Sequence, residues 1–155
     1  MLKVRLAQIP DSGHFERRGL EFQAPELGLS EAFSGSAIQA EFALDRVGNK
    51  VYGQFKAGAR AKLQCSRCLK ALETALKTDF NVLFEPTSGQ PGSADEDSVS
   101  DEESVFYRGD ELNLGEEIRQ ELELLLPLAP ICRPACRGLC PDCGADWNTG
   151  ACEHL

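Results

Sequence analysis

The sequence lacks the features that mark several large classes of protein. No stretch approaches the roughly 20 consecutive apolar residues of a membrane-spanning helix, and the longest apolar run, around Leu124, ends at Pro127. The first residues carry no apolar core of a secretory signal peptide, so we expect a cytoplasmic protein without a membrane partner. A P-loop, a glycine-rich dinucleotide fingerprint and a nucleophile elbow are absent as well.

Histidine is scarce too. The chain has only two histidines, and neither stands beside a nucleophile as a general base would. His14 falls in a predicted turn at residues 11–14, and we expect it to be a solvated loop residue. We therefore predict a protein that is not an enzyme and takes no small-molecule substrate.

Basic residues are concentrated in the first part of the chain. Residues 1–86 hold 12 basic and 10 acidic side chains, whereas residues 87–155 hold 4 basic and 15 acidic ones. The overall charge of −9 disfavours non-specific binding of nucleic acid by the whole surface. It leaves room for a local basic face.

Composition and periodicity divide the chain into four segments. Residues 1–86 predict an antiparallel β domain with a Cys-x-x-Cys hairpin tip. Residues 87–104 are acidic and nearly free of large apolar side chains, which is typical of a disordered linker. Residues 105–131 predict a strand and an amphipathic helix that packs on the sheet, and residues 132–155 a cysteine-rich, zinc-binding tail. The predicted fold is α+β: a mainly antiparallel sheet or barrel-like N-terminal part, one C-terminal helix and a small zinc-knuckle tail.

Alternation of apolar and polar residues predicts strands at residues 2–6, 20–24, 38–44, 51–65 and 76–84. The strand at 51–65 is the clearest, with apolar or small residues at every odd position and mostly basic or polar ones between them. Gly48 and Asn49 suit the hairpin turn before it. One helical turn is expected at residues 27–33, with Ser30 as its cap.

The clearest helix lies before the cysteine-rich tail. Asn113 can cap it, with Glu116 three residues later as the partner in a capping box. Apolar residues then recur at helical spacing, at Leu114, Ile118, Leu122 and Leu125. Pro127 ends the helix, whose apolar stripe is expected to pack on the sheet.

Five of the seven cysteines fall in the C-terminal tail, where the segment Cys140-Pro-Asp-Cys143 is followed by Gly144. This is the form of a metal knuckle, in which two thiolates three positions apart grip one tetrahedral ion. Glycine lets the backbone turn so that amide groups face sulfur. Cys152 and His154 lie far enough downstream to complete four ligands. In a reducing compartment, clustered cysteines of odd number favour metal over disulfides.

A second Cys-x-x-Cys motif, from Cys65 to Cys68, ends the long strand before the chain returns in another strand. The motif therefore lies at the tip of a β-hairpin, whereas a thioredoxin-like pair lies at a helix N-terminus after a βαβ pattern. A metal knuckle is the first interpretation. Structural thiols and a redox pair are the alternatives, and a thiol oxidoreductase would rest on these two cysteines alone.

Eight candidate ligands allow more than one arrangement, so one or two zinc ions are predicted. In the first arrangement, one ion is held by Cys140, Cys143, Cys152 and His154. A second ion, which ties the hairpin tip to the segment after the helix, is held by Cys65, Cys68, Cys132 and Cys136. The alternative is a single ion, as in a zinc ribbon, on Cys65, Cys68, Cys140 and Cys143. Sulfur-rich ligand sets of this kind suit a closed structural site.

Basic side chains accumulate on the outward face of the long strand and around the hairpin tip. The candidates for RNA binding are Lys56, Arg60, Lys62, Arg67, Lys70 and Lys77. Residues 56–77 contain only one acid, Glu73, and the outward residues of a hairpin line one surface. Such a surface can contact phosphates, and Tyr52 can stack on an exposed base. A solvated, lysine-rich sheet face is the alternative.

With these motifs in place, the sequence resembles the YceD family of large-ribosomal-RNA accumulation proteins. The resemblance begins at the basic strand and includes Cys-Ser-Arg-Cys-Leu at 65–69, residues 111–122, Leu-Pro-Leu-Ala-Pro-Ile-Cys at 126–132, Gly-Leu-Cys-Pro-Asp-Cys-Gly at 138–144, Asn148 and Cys152. The family pattern often closes with Cys-x-Cys. This chain has His154 at the second position, and histidine is also a zinc ligand.

The resemblance implies a bacterial factor for the accumulation of 23S ribosomal RNA, and hence for synthesis or assembly of the large ribosomal subunit. The implied partner is ribosomal RNA or a large-subunit ribosomal protein. The competing interpretation is a zinc-stabilised protein–protein adaptor or metal-handling module unrelated to RNA.

Overall fold

The computed structural model describes residues 2–87 and 103–154 of the chain. The strands are β1 (Val4–Arg5), β2 (His14–Gln23), β3 (Ala37–Val47), β4 (Lys50–Gln64), β5 (Ala71–Pro86), β6 (Glu103–Tyr107) and β7 (Glu111–Leu112). The helices are α1 (Ala24–Leu27) and α2 (Leu114–Leu124), and 3-10 helices cover Leu6–Gln8 and Glu31–Phe33. The predicted α+β class, with a mainly antiparallel sheet and a C-terminal helix, is confirmed. Among the described residues, neither α1 nor α2 offers an apolar stretch that could span a bilayer.

The main sheet is open and has the strand order β2-β3-β4-β5-β6. Neighbouring strands from β2 to β5 are antiparallel, whereas β6 pairs in parallel with β5. β1 and β7 form a separate two-stranded pair. Most of the predicted linker at 87–104 falls on residues 88–102, which lie outside the described residues. The proposed segment boundaries stay a prediction.

Residues of β4 alternate between a buried face of the main sheet and an exposed one. Its odd-numbered residues from Val51 to Ala61 are buried. Its even-numbered residues from Lys50 to Lys62 face solvent, apart from the half-buried Gly58. The alternation read from the sequence therefore describes this strand correctly, because one face packs on the core while the other stays hydrated.

A row of four phenylalanines crosses the buried face from β2 to β5. Ring centroids lie 6.1 Å apart for Phe15 and Phe42, 6.2 Å for Phe42 and Phe55, and 5.0 Å for Phe55 and Phe80, which stack. Aromatic pairs at such distances contribute roughly 0.5–1.5 kcal/mol each beyond the burial of their area. Gly53 leaves the space that the Phe55 ring occupies, since a Cβ there would lie 2.5 Å from Phe55 Cε2.

Replacement of Gly53 by alanine is expected to lower the free energy of unfolding by about 1–3 kcal/mol, the usual cost of overpacking a core. Phe55 is 1% exposed, so its ring has no free space to move into. Gly58→Ala, on the same strand, is the control, because its Cβ would lie 3.5 Å from Leu76 O in ordinary contact. Urea unfolding of both variants measures the difference, and equal stabilities would contradict this account of the row.

α2 covers the buried face with Leu114, Ile118 and Leu122, all fully buried. Burying a side chain of this size stabilises a protein by roughly 1.5–3 kcal/mol. The predicted capping box is wrong. Asn113 makes no side-chain cap hydrogen bond, and its Oδ1 is buried without a hydrogen-bond partner among the described residues. Glu116 instead accepts two hydrogen bonds from the guanidinium of the residue three positions on.

The ion pair on α2 predicts a small acid-dependent loss of stability. Hydrogen bonds from Arg119 lower the pKa of Glu116 to about 2 from 4.5. Because the folded pKa is depressed, the stabilisation is present above pH 4.5 and is lost as pH falls towards 2. Glu116→Gln should cost a few tenths to about 1 kcal/mol at pH 6, since the pair is partly exposed, and almost nothing at pH 2. Urea unfolding at several pH values checks this, with Glu121→Gln as the control for an equal charge change on the same helix.

The N-terminal region departs from the sequence prediction at several points. The strand expected at residues 2–6 shrinks to β1, because its partner is the two-residue β7 from far along the chain. His14 does not lie in a loop. It opens β2, and its Nδ1 lies 2.7 Å from Asp45 Oδ1 on β3. Ser30 precedes the second 3-10 helix without capping it, and its hydroxyl donates to Glu123 of α2.

Candidate metal centres

The turn between β4 and β5 is a cysteine knuckle. The Cys65 amide donates to Lys70 O at 2.9 Å, and the Leu69 amide donates to Cys65 O at 2.9 Å. Leu69 has a left-handed φ of +59°, a conformation that costs a side chain other than glycine roughly 1–2 kcal/mol. The turn is therefore strained and relies on the contacts that the chain makes around it.

Four cysteines meet at this turn and are called the hairpin centre: Cys65, Cys68, Cys132 and Cys136. Their Sγ atoms all lie within 4.8 Å of one another. The Sγ atoms of Cys65 and Cys136 are 3.8 Å apart, and those of Cys68 and Cys132 are 3.6 Å apart. All four are free thiols, and three are buried, Cys132 being the exposed one. The centre thus joins the hairpin tip to the chain after α2.

A second knuckle lies at Cys140 to Cys143. The Gly144 amide donates to Cys140 O at 2.9 Å, as the Leu69 amide does in the first knuckle, and Gly144 has a φ of +72°. The four ligand atoms of the group called the tail centre also lie within 4.8 Å of one another; its residues are Cys140, Cys143, Cys152 and His154. Only Cys140 is buried, so the tail centre is more open than the hairpin centre.

Hydrogen bonds favour the thiolate form of cysteines in both centres. A backbone hydrogen bond from Cys68 is the main cause that lowers the pKa of Cys65 to about 6. The Trp147 indole donates to Cys152 Sγ at 3.3 Å and is the main cause that lowers the pKa of Cys152 to about 6. Thiolates are the form that binds metals. Because several thiolates this close repel one another, the full set ionises only around a cation.

The sulfur positions fit a tetrahedral thiophilic ion. Zinc–sulfur bonds of about 2.3 Å place the sulfurs of a tetrahedron about 3.8 Å apart. The two measured Sγ–Sγ distances in the hairpin centre, 3.8 and 3.6 Å, agree with that edge and exceed the roughly 2.05 Å of a disulfide. A donor set of seven thiols and one imidazole matches soft-ligand metals. Both centres can therefore hold a metal ion.

The grouping of the eight candidate ligands follows the first of the two predicted arrangements. Cys65 and Cys68 lie together with Cys132 and Cys136, and Cys140 and Cys143 lie together with Cys152 and His154. The single-ion alternative on Cys65, Cys68, Cys140 and Cys143 is not among the groups that the structure brings together within the described residues.

Four of the six basic candidates share the outer face of the main sheet: Lys56, Arg60 and Lys62 on β4 and Lys77 on β5. The other two are engaged beside the metal centres. Arg67 Nη1 donates to Cys136 O at 2.9 Å, and Lys70 Nζ pairs with Asp146 Oδ2 at 2.8 Å. Arg67 and Lys70 thus connect the hairpin tip to the tail.

The outer face of the sheet carries both signs of charge. Lys56 Nζ lies 3.7 Å from Glu41 Oε1 on β3, and Arg60 Nη1 lies 3.7 Å from Glu73 Oε2 on β5. Asp79 faces Lys56 across the β4–β5 pair. These exposed pairs are weak, because water and salt screen them.

Sequence reasoning gave no role to the polar residues that surround the hairpin centre, although Asn148 is among the residues of the family resemblance. Asn148 Nδ2 donates to Cys136 Sγ at 3.6 Å, and its Oδ1 accepts from Arg133 Nη2 at 3.0 Å. Asp146, which pairs with Lys70 of the hairpin tip, accepts a hydrogen bond from the backbone N–H of Asn148 at 2.9 Å. An aspartate two residues before an asparagine is a common turn signal, but it does not reveal which sulfur the turn will face.

A family model described as "Large ribosomal RNA subunit accumulation protein YceD" matches residues 53–155. The chain belongs to the YceD family. The matched region runs from β4 to the end of the tail and so includes both metal centres, which confirms the resemblance read from the motifs. The family's name gives the protein a ribosome-related context and names no enzyme class.

Several curated relatives share part of the chain. An uncharacterized protein of Mycobacterium tuberculosis is 27% identical over 110 residues, covering 71% of this chain and 51% of the relative. One of Mycobacterium leprae is 29% identical over 111 residues, covering 71% and 49%. A chloroplastic YCED homolog 1 of Zea mays, named as a large ribosomal RNA subunit accumulation protein, is 30% identical over 79 residues, covering 46% and 27%. The chain spans about half the length of the mycobacterial relatives, and no solved structure matches it.

Proposed function

We propose that the protein is a non-enzymatic bacterial factor that supports 23S rRNA accumulation, and through it the synthesis or assembly of the large ribosomal subunit. It acts in the cytoplasm by binding ribosomal RNA or a large-subunit ribosomal protein. The observation that carries the proposal is the family match over two thirds of the chain. The name of the maize relative supports the same context.

We propose that zinc fills both centres and has a structural role. The hairpin centre offers four thiols, and the tail centre three thiols and His154, which are the common ligand sets of closed zinc sites. Such sites leave no open position for substrate, which agrees with a protein that binds rather than catalyses. The ligands of the hairpin centre lie 64 and 71 positions apart for the two closest sulfur pairs, so the ion would join distant parts of the fold.

We propose that ribosomal RNA contacts the outer face of the main sheet. The exposed lysine and arginine side chains on that face supply phosphate contacts. Tyr52, 39% exposed on the same face, can stack on an unpaired nucleobase. The weak pairs of Lys56 with Glu41 and of Arg60 with Glu73 can be exchanged for phosphate at little cost. Arg67 and Lys70, predicted as RNA ligands, are secondary candidates because both already have partners at the tail.

A zinc-stabilised protein adaptor unrelated to RNA is the second candidate function. It is favoured by the apolar side chains left in solvent where α2 leads into the tail: Leu124, Leu125, Leu128 and Ile131. Leu128 is fully exposed, and clustered exposed apolar residues often mark surfaces that bind other proteins.

Crosslinking in cells, followed by sequencing of the bound RNA and mass spectrometry of the bound proteins, together with ribosome gradients after depletion of the protein, tests the proposed function. We expect crosslinks in 23S rRNA or a large-subunit protein and a deficit of large subunits. A normal gradient and no crosslink to any large-subunit component would contradict the proposal and favour the adaptor. The variant Leu128→Ser separates the two, since the adaptor requires the apolar cluster and RNA binding does not.

A further inference from the structure

The side-chain amide of Asn148 links the two metal centres. Asn148 lies between two ligands of the tail centre, Cys143 and Cys152, yet its Nδ2 donates to Cys136 Sγ of the hairpin centre at 3.6 Å. The same Nδ2 donates to Asp146 Oδ1 at 2.6 Å. Both hydrogens of the amide are therefore committed, and one of them points at a sulfur of the hairpin centre.

The orientation of this amide is fixed by its oxygen. Asn148 Oδ1 accepts from the Arg137 amide at 2.9 Å and from Arg133 Nη2 at 3.0 Å. If the amide were turned over, its NH2 group would face two donors, which leaves only the observed orientation. The loop between the tail ligands thus presents a donor, not an acceptor, to Cys136.

Further contacts fasten the tail loop to the hairpin tip. Asp146 binds Lys70 Nζ at 2.8 Å, and this ion pair lowers the pKa of Asp146 to about 2. The Leu139 amide donates to Arg67 O at 3.2 Å, just before the first ligand of the tail centre. The position of the loop therefore depends on both centres, since one holds its two ends and the other faces its middle.

We infer that the two centres are a coupled pair, in which metal in the tail centre places Asn148 against Cys136 and so raises the metal affinity of the hairpin centre. Asn148 is the positioning residue. The inference goes beyond the proposed function and rests on its clause that both centres bind zinc. By linkage, metal in the hairpin centre raises the affinity of the tail centre by the same factor.

The physical cause of the coupling is the ordering of the tail loop. A four-thiolate zinc site carries a net double negative charge, which hydrogen bonds from outer donors stabilise. Without tail metal, only the hydrogen bonds of Asn148 and the Asp146–Lys70 ion pair hold the loop, and completing its order costs part of the free energy of metal binding at the hairpin centre. With tail metal bound, the loop is already in place and the donor is pre-organised. Loss of an outer-shell partner commonly weakens metal binding 10–100-fold.

Titration of the full-length reduced protein with cobalt tests the coupling, because the absorption spectrum of Co²⁺ distinguishes four-sulfur from three-sulfur, one-nitrogen sites. Asn148→Ala is expected to weaken binding at the four-sulfur centre 10–100-fold. Cys152→Ser, which disables the tail centre, is expected to weaken the same centre by a similar factor. The double variant should bind Co²⁺ at the four-sulfur centre no more weakly than the more affected of the two single variants. Asn81→Ala, an exposed asparagine on β5 away from both centres, is the control and should leave both affinities unchanged.

Three results would overturn the inference. Unchanged affinity of the four-sulfur centre in Asn148→Ala would remove the positioning role while leaving metal binding intact. Weakening by Asn148→Ala but not by Cys152→Ser would show that the asparagine acts without help from tail metal. Failure of the unmodified protein to bind cobalt or zinc at either centre would contradict the proposed metal binding itself, which is a separate and earlier failure.

Discussion

Cys136→Ser is expected to lower the free energy of unfolding of the zinc-loaded protein by about 4 kcal/mol. The hairpin centre links residues 64 and 71 positions apart, and a cross-link that closes a loop of that size stabilises a fold by about this amount through the unfolded chain. Cys136 is buried, and its Sγ lies 3.8 Å from Cys65 Sγ. Urea unfolding under reducing conditions, in the presence of zinc, measures the loss.

The same substitution in chelator-treated protein is the control for Cys136. Serine is close to cysteine in size, so without metal the two proteins should differ by less than about 1 kcal/mol, and the difference between the two comparisons isolates the ion. An equal loss with and without zinc would show that Cys136 acts through packing. No loss in either condition would contradict a structural ion at the hairpin centre.

Neutralising three lysines of the outer sheet face, Lys56, Lys62 and Lys77, to glutamine is expected to weaken binding to large-subunit RNA about 100-fold at physiological salt. The estimate assumes that each lysine contacts one phosphate and releases one counterion. The slope of log affinity against log salt should also flatten by about 0.7–0.9 for each lost contact. Filter binding or fluorescence anisotropy over a range of salt concentrations measures both quantities.

The matched control for the lysine variant removes three basic side chains from the region of β1 and β7, by changing Lys3, Arg5 and Arg108 to glutamine. The two variants have the same net charge. The comparison therefore separates RNA binding by the outer sheet face from general electrostatic attraction between the protein and RNA. Arg67 is left unchanged in both proteins because it donates to Cys136 O and its loss would disturb the hairpin centre. Equal weakening by the two variants, or none by either, would exclude the outer face and direct the search to a protein partner.

The fold could be predicted from the sequence where the signal is local. The alternation in β4 identified its buried and exposed faces, and the spacing of apolar residues identified α2, because each pattern repeats within one element. Pairings between distant segments could not be predicted in this way. β1 is short because it pairs with β7, whose two residues give no periodic signal. Asn113, at φ −95° and ψ 79°, makes no side-chain cap hydrogen bond, and the carboxylate of Glu116 binds Arg119.

The candidate metal ligands could be grouped correctly because knuckle spacing leaves few tetrahedral combinations. The surroundings of the centres could not, since Asn148 reaches Cys136 only through the folded tail. The basic face was only partly predictable. A count along one hairpin includes Glu73 but omits Glu41, which a third strand places next to Lys56. The sequence thus overstated the positive charge of that surface.

The contact between Trp147 and Cys152 gives the protein a built-in optical probe. Trp147 is the only tryptophan in the chain, and its indole nitrogen lies 3.3 Å from Cys152 Sγ. Indole fluorescence is sensitive to the charge and ionisation of a neighbouring sulfur, and the sheet contributes no other indole. Emission from the native protein therefore reports on the tail centre, so that its filling can be followed by fluorescence without any label.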